Sequence, residues 1–117
     1  MGDISPHFNR REFACKCGCG MSNISLQLVE RLETIRAFFN APVIINSACR
    51  CPAHNKKVGG VPNSQHVQGI AADIVVKGVK PSEVAKFAEA FWHSGGVGRY
   101  ATFTHIDVRM GKAGWKG

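Results

Sequence analysis

The chain has 117 residues, 44% hydrophobic and 20% charged, enough for one domain with an ordinary globular balance. No apolar run approaches the roughly 20 residues that cross a bilayer, so no membrane span is expected. The formal charge of +7 favours an anionic partner (cell-wall polymer, nucleic acid or membrane surface), but the dispersed basic residues form no nucleic-acid module and argue against a dedicated nucleic-acid role.

Met1-Gly2-Asp3-Ile4-Ser5-Pro6 lacks the basic and apolar regions of a secretory signal. The expectation is synthesis in the cytoplasm without a signal peptide, with any work outside the cell needing another route of release. Residues 5–14 predict a short N-terminal helix capped by Asn9 and anchored by Phe8 and Phe13. A tight loop follows, Cys15-Lys16-Cys17-Gly18-Cys19-Gly20. From about Ser25 to Phe39, apolar residues at Leu28, Leu32, Ile35 and Phe39, with Val29 and Phe38 beside them, predict a core-facing helical stripe. Glu30, Arg31, Glu33 and Arg36 are expected on its wet face. Asn40 ends the helix, Pro42 blocks its resumption, and Val43-Ile44-Ile45-Asn46 reads as a short strand.

From Ser47 to Gly69 the chain is mostly loop, with one helical turn expected after Pro52. So long a loop in so small a domain is usually functional. The run Ile70-Ala71-Ala72-Asp73-Ile74-Val75-Val76 reads as a buried strand turning at Gly78. Pro81 then opens a helix to about His93, with Val84, Phe87, Ala88 and Phe91 inward, and Ser94-Gly95-Gly96 ends it. Residues 97–100 and 103–109 read as a final hairpin before a Gly/Lys-rich tail containing Trp115. The order of elements predicts an α+β fold, a small, largely antiparallel sheet with helices packed on one face. It forms a single domain over residues 1–117, on which a Cys-containing segment of residues 1–22 packs.

Strand alternation puts Asp73 on the face of Ala71 and Val75, where an unpaired carboxylate would cost several kcal/mol. A metal ion, an arginine or a hydrogen-bonded histidine would each compensate it. In the late strand, alternation sets Phe103, His105, Asp107 and Arg109 on one face, with His105 and Asp107 about 7 Å apart along it. Either of these two could ligate a metal while the other orders water or orients its neighbour. His66, Asp73 and His105 suit zinc with a fourth position open for water. From spacing alone, a buried Asp73–His105 pair without metal serves equally well. His7, His54 and His93 read as structural or exposed.

Ser64-x-His66-x-x-Gly69-x-Ala71-x-Asp73 together with His105-x-Asp107 resembles the signature of zinc D-Ala-D-Ala carboxypeptidases and related peptidoglycan endopeptidases, a group that includes hedgehog-like domains. The upstream run from Ser47 through Arg50, Asn55 and Gly59-Gly60 to Ser64 resembles the same family's pattern, so the match spans about Ala41 to Arg109. The resemblance implies a zinc peptidase of cell-wall stem peptides or cross-links, with His66, Asp73 and His105 as ligands. Arg50 would bind the substrate's carboxylate or polarise its scissile carbonyl, and Ser64 would sit at the rim. The compact form looks most like phage-encoded and prophage-encoded, endolysin-like members. Many relatives carry a carboxylate or histidine base shortly before the last ligand, where this chain has Tyr100, Ala101, Thr102, Phe103 and Thr104. Asp107 is therefore assigned as base or water-orienting residue, its competing role being to brace His105 or pair with Arg109. Tyr100 is the next candidate, as a substrate-binding donor to the oxyanion. The missing base also keeps open a catalytically weak, zinc-containing wall-binding or phage structural module.

Five cysteines cannot all pair within one chain. Cys15, Cys17 and Cys19 with Cys49 and Cys51 could supply four thiolates to a second, structural zinc, form one or two disulfides tying the N-terminal loop to the Arg50 loop, or remain buried thiols.

Overall fold

The computed structural model describes residues 5–14, 24–48 and 70–116. Strand β2 (Ala71–Val76) lies inside the sheet, and its alternation divides the molecule into two sides. Ala72, Ile74 and Val76 enter the hydrophobic core, while Ala71, Asp73 and Val75 belong to the opposite face. β1 (Val43–Ser47) and β4 (Thr104–Asp107) flank β2, both antiparallel to it. β3 (Gly95–Arg99) is the hairpin partner of β4, and β5 (Lys112–Lys116) lies parallel to β3. The described residues thus form a five-stranded, mostly antiparallel sheet in the order β1-β2-β4-β3-β5.

Helices α1 (Leu26–Phe39) and α2 (Pro81–Phe91) cover the core side, so the fold is α+β as expected. Ser25 starts α1 by accepting the Leu28 N–H at 3.4 Å, and Asn40 ends it in the left-handed region at φ 49°. Pro81 at the first turn of α2 needs no amide partner, and the Thr104 hydroxyl donates to its carbonyl at 2.9 Å, tying β4 to the helix. Leu28, Leu32 and Ile35 meet Val84, Ala85 and Ala88 over Val43, Ile45, Ile74, Val97 and Ile106. Phe8 and Phe13 join this core with ring centroids 5.8 Å apart, each adding about 1.5–3 kcal/mol by burial. Their segment is also pinned to α1. Glu33 accepts from the Ser5 hydroxyl at 2.6 Å and from the His7 amide at 2.8 Å, and pairs with His7 Nδ1 at 2.6 Å.

Several local expectations change. The N-terminal helix is a single 3-10 turn, Arg10–Phe13, bounded on one side by the Ser5–Phe8 bridge and extended Asn9 and on the other by extended Ala14. The tail around Trp115 is a strand, β5, at the sheet edge. Arg31 is not on the wet face but 8% exposed. Its guanidinium donates to the Ser94 carbonyl at 2.7 Å and the Ser94 hydroxyl at 3.2 Å and lies 5.0 Å from the Trp92 ring. Those partners come from the turn after α2, which helical periodicity cannot reveal. Phe38 and Phe91, expected inward, are 61% and 55% exposed. The buried arc of α2 centres on Val84, Ala85 and Ala88, which rotates Phe87 and Phe91 to its margin. There Phe87 stacks between Phe38, at 4.1 Å, and Phe91, at 5.2 Å.

Candidate metal centre

Strand register assembles the centre on the sheet face away from the helices. Asp73 of β2 stands directly opposite His105 of β4, His105 opposite Gly98 of β3, and Gly98 opposite Trp115 of β5. On the other flank, an irregularity between Ile45 and Ser47 brings Ser47 opposite Asp73. One line of residues therefore crosses all five strands, with Asp73 and His105 at its middle.

The pair is close and nearly enclosed. Asp73 Oδ1 and His105 Nδ1 are 2.9 Å apart, and both residues are buried. The other ring nitrogen, Nε2, meets Asp107 Oδ2 at 2.8 Å. Asp107 is fully buried and surrounded by donors: the Gly96 amide at 2.7 Å, the Arg109 amide at 3.1 Å, and the Arg109 guanidinium at 2.6 Å from Nη2 and 2.9 Å from Nε. Burial alone would raise its pKa. The hydrogen bonds from His105 and Arg109 outweigh that and hold the carboxyl well below the usual carboxylate range. An ionised Asp107 obliges Nε2 to carry a proton, which fixes the orientation of the ring. Burial pushes the His105 pKa down, but its bonds to Asp107 and Asp73 prevail and leave it above the ordinary histidine value.

Such a pair fits a zinc ion. Nitrogen and oxygen ligands about 2.1 Å from a tetrahedral zinc stand about 3.4 Å apart, so the observed 2.9 Å needs about half an ångström of opening. A cation would take the place of the Nδ1 proton, while a carboxylate behind the opposite nitrogen is the usual brace of a metal-bound histidine. Among the described residues, no three His, Cys, Asp or Glu side chains are arranged to hold a metal. His66, the expected third ligand, lies outside the described residues, as do Arg50, Ser64 and the cysteines Cys15, Cys17, Cys19, Cys49 and Cys51. The structure thus brings together Asp73, His105 and Asp107, with Tyr100 one indole away.

Trp115 is the neighbour that sequence reasoning left out. Its ring centroid is 4.9 Å from that of His105, the Arg109 guanidinium lies 5.0 Å from it, and its Nε1–H donates to the Tyr100 hydroxyl at 2.8 Å. Tyr100 in turn stacks on Phe103 at 4.4 Å. Two glycines make room for these groups. A Cβ on Gly96 would fall 2.4 Å from Asp107 Oδ2, and one on Gly98 would fall 2.7 Å from the indole. The alternation Gly96-x-Gly98 within a strand was the available signal, since glycine there marks a close approach from a neighbour.

A protein-family model described as Peptidase M15 matches residues 6–107. No curated protein matches the chain.

Proposed function

The chain belongs to the peptidase M15 family, and from that premise we propose that it is a zinc peptidase hydrolysing peptide bonds of bacterial peptidoglycan, in stem peptides or cross-links. The observation that carries the proposal is the Asp73–His105 pair, brought into register by β2 and β4 and braced through Nε2 by Asp107. With His66, this pair would hold the ion. When bound, zinc supplies Lewis acidity, which makes water nucleophilic near neutral pH and polarises the scissile carbonyl.

The remaining roles belong to side chains. Arg50 would bind the substrate's carboxylate or its carbonyl oxygen, a task suited to a planar guanidinium. Ser64 would line the rim. Asp107 we place behind His105 as a positioning carboxylate, in preference to base. It is fully buried and held ionised by donors on both oxygens, and so makes a poor proton acceptor. Tyr100 keeps the role of hydroxyl donor toward the oxyanion. The charge of +7 would help hold the protein on anionic wall polymers. A phage or prophage setting, with release by a separate route or carriage in the particle, belongs to the same proposal.

The test is digestion of purified cell walls, read as new free amino groups. Wild type with zinc is expected to release them, His66→Ala to lose that activity, and chelated wild type to regain it when zinc returns. Equal activity with and without metal would refute the proposal. A second reading, a catalytically weak wall-binding or phage structural module that keeps zinc for folding, is favoured by one feature. Residues 100–104 offer no carboxylate or histidine as base. Wall binding without turnover in the zinc-loaded protein would select it. The release of free D-alanine against internal cleavage separates carboxypeptidase from endopeptidase.

A further inference from the structure

We infer that Trp115 is a positioning residue for Tyr100: its indole N–H holds the phenol so that the hydroxyl proton is offered to a carbonyl or carboxylate oxygen of the peptide bound beside His105. This deepens the peptidase reading above and rests on it.

The indole has little freedom. Parallel pairing of β5 with β3 sets Trp115 opposite Gly98, and the ring lies so close over that glycine that even a methyl group there would come within 2.7 Å of it. His105 and Arg109 each lie about one ring's reach away, at 4.9 and 5.0 Å from the indole centroid. Arg109 is itself fixed by Asp107.

Hydrogen-bond direction follows from the chemistry of the two groups. An indole nitrogen only donates, so across the 2.8 Å contact the Tyr100 oxygen must accept. The phenol's own hydrogen then points elsewhere, and a hydroxyl that accepts one bond becomes a stronger donor of the next. The phenol ring cannot swing away easily, because it is stacked at 4.4 Å and 10° on Phe103. Among the described residues, no acceptor takes the Tyr100 hydroxyl proton. Tyr100 is half-buried, which leaves it open to a ligand. Among the described residues, the Arg109 guanidinium beside the indole is turned to Asp107, and the Tyr100 hydroxyl is a donor still on offer on this flank of the site. A group that only accepts, such as a peptide carbonyl or a terminal carboxylate, is the complementary partner.

The test uses the full-length, zinc-loaded chain and three variants: Trp115→Phe, Tyr100→Phe and the double variant. Phenylalanine keeps an aromatic ring at this position and removes the N–H together with the second ring of the indole, and the double variant separates the two losses. Loss of an oxyanion donor costs about a hundredfold in kcat, which is expected for Tyr100→Phe, with KM nearly unchanged. Trp115→Phe is expected to lower kcat about tenfold, and the double variant to be no slower than Tyr100→Phe, because residues acting through one another are not additive. Zinc content should stay the same in all three.

Nuclear magnetic resonance supplies a readout independent of turnover. The chain has two tryptophans, so two indole N–H signals are expected, and Tyr100→Phe should shift and expose to solvent exchange the one that Trp115→Phe removes. Multiplicative kinetic effects, a Trp115→Phe protein with wild-type kcat, or an indole signal indifferent to Tyr100→Phe would each overturn the inference. If zinc-loaded wild type cleaves no wall peptide, the peptidase reading fails. The inference is then decided by binding of a D-alanine-terminated wall peptide: a loss of affinity in both single variants, with no further loss in the double variant beyond that of Tyr100→Phe, supports it, and a Trp115→Phe protein that binds as wild type or losses that multiply in the double variant refute it.

Discussion

Replacing Asp107 by asparagine keeps the shape of the side chain and removes its charge, with consequences that can be worked through bond by bond. The carboxylate accepts from Gly96, from the Arg109 backbone and guanidinium, and from His105, using both oxygens. An amide has one accepting oxygen. Turned toward His105, it sets its NH2 against the Gly96 and Arg109 amides. Turned the other way, it sets NH2 against His105 Nε2, which must then accept, leaving the ring's proton on Nδ1. That is the nitrogen facing Asp73, and a protonated Nδ1 has no lone pair for a metal. At least two charge-assisted bonds are lost in either case, each about 1.5–3 kcal/mol. Because Arg109 is 30% exposed at its side chain and partly screened, the low end applies, about 3 kcal/mol in all. At about 2.1 cal/mol/K per residue over 117 residues, this is a fall of about 12 °C in Tm. Zinc affinity should drop about 10–100-fold. Thermal unfolding of the metal-free proteins and competition against a chromophoric chelator measure the two effects. An Asp107→Asn protein with wild-type Tm and wild-type zinc affinity would refute the assignment of Asp107 as the brace of His105.

Two further outcomes follow from the same geometry. Gly96→Ala alters no ligand, yet its methyl would meet a carboxylate fixed by five donors, so it should destabilise the fold by about 1–3 kcal/mol and weaken zinc binding; retention of both properties would show that the network yields more easily than its contacts imply. Burial pushes the Glu33 pKa up, but its bonds to Ser5 and His7 prevail and leave it below the ordinary value. Its contribution is then complete above the unfolded carboxylate pKa and lost as pH falls through the lowered folded value. Wild type should therefore unfold at higher temperature than Glu33→Gln near neutral pH, and the two curves should converge in strongly acidic solution; a gap independent of pH would contradict this.

Much of the fold was legible because it is written in local pattern. The apolar run around Asp73 defines β2, the stripe through Leu28, Leu32 and Ile35 defines α1, and Pro81 and Asn40 mark helix ends. The shared face of His105 and Asp107 also follows from alternation alone. What local pattern cannot supply is register across distant strands. That Asp73 lies opposite His105, 32 residues away, depends on how β2 and β4 slide past each other, which neither strand encodes by itself. β5 escaped detection because its only large apolar residue is Trp115, set among exposed lysines and glycine that suit an edge strand. Arg31 was misplaced for a related reason: its partners at Ser94 and Trp92 are supplied by a turn more than sixty residues later.

The centre of this account is that Asp73 and His105, with His66, form one zinc site. Zinc content per chain, measured after exhaustive dialysis for wild type, Asp73→Ala and His66→Ala, tests it directly. Each variant is expected to hold one zinc fewer per chain than wild type, whatever the cysteines bind. Equal zinc content in all three proteins would contradict it.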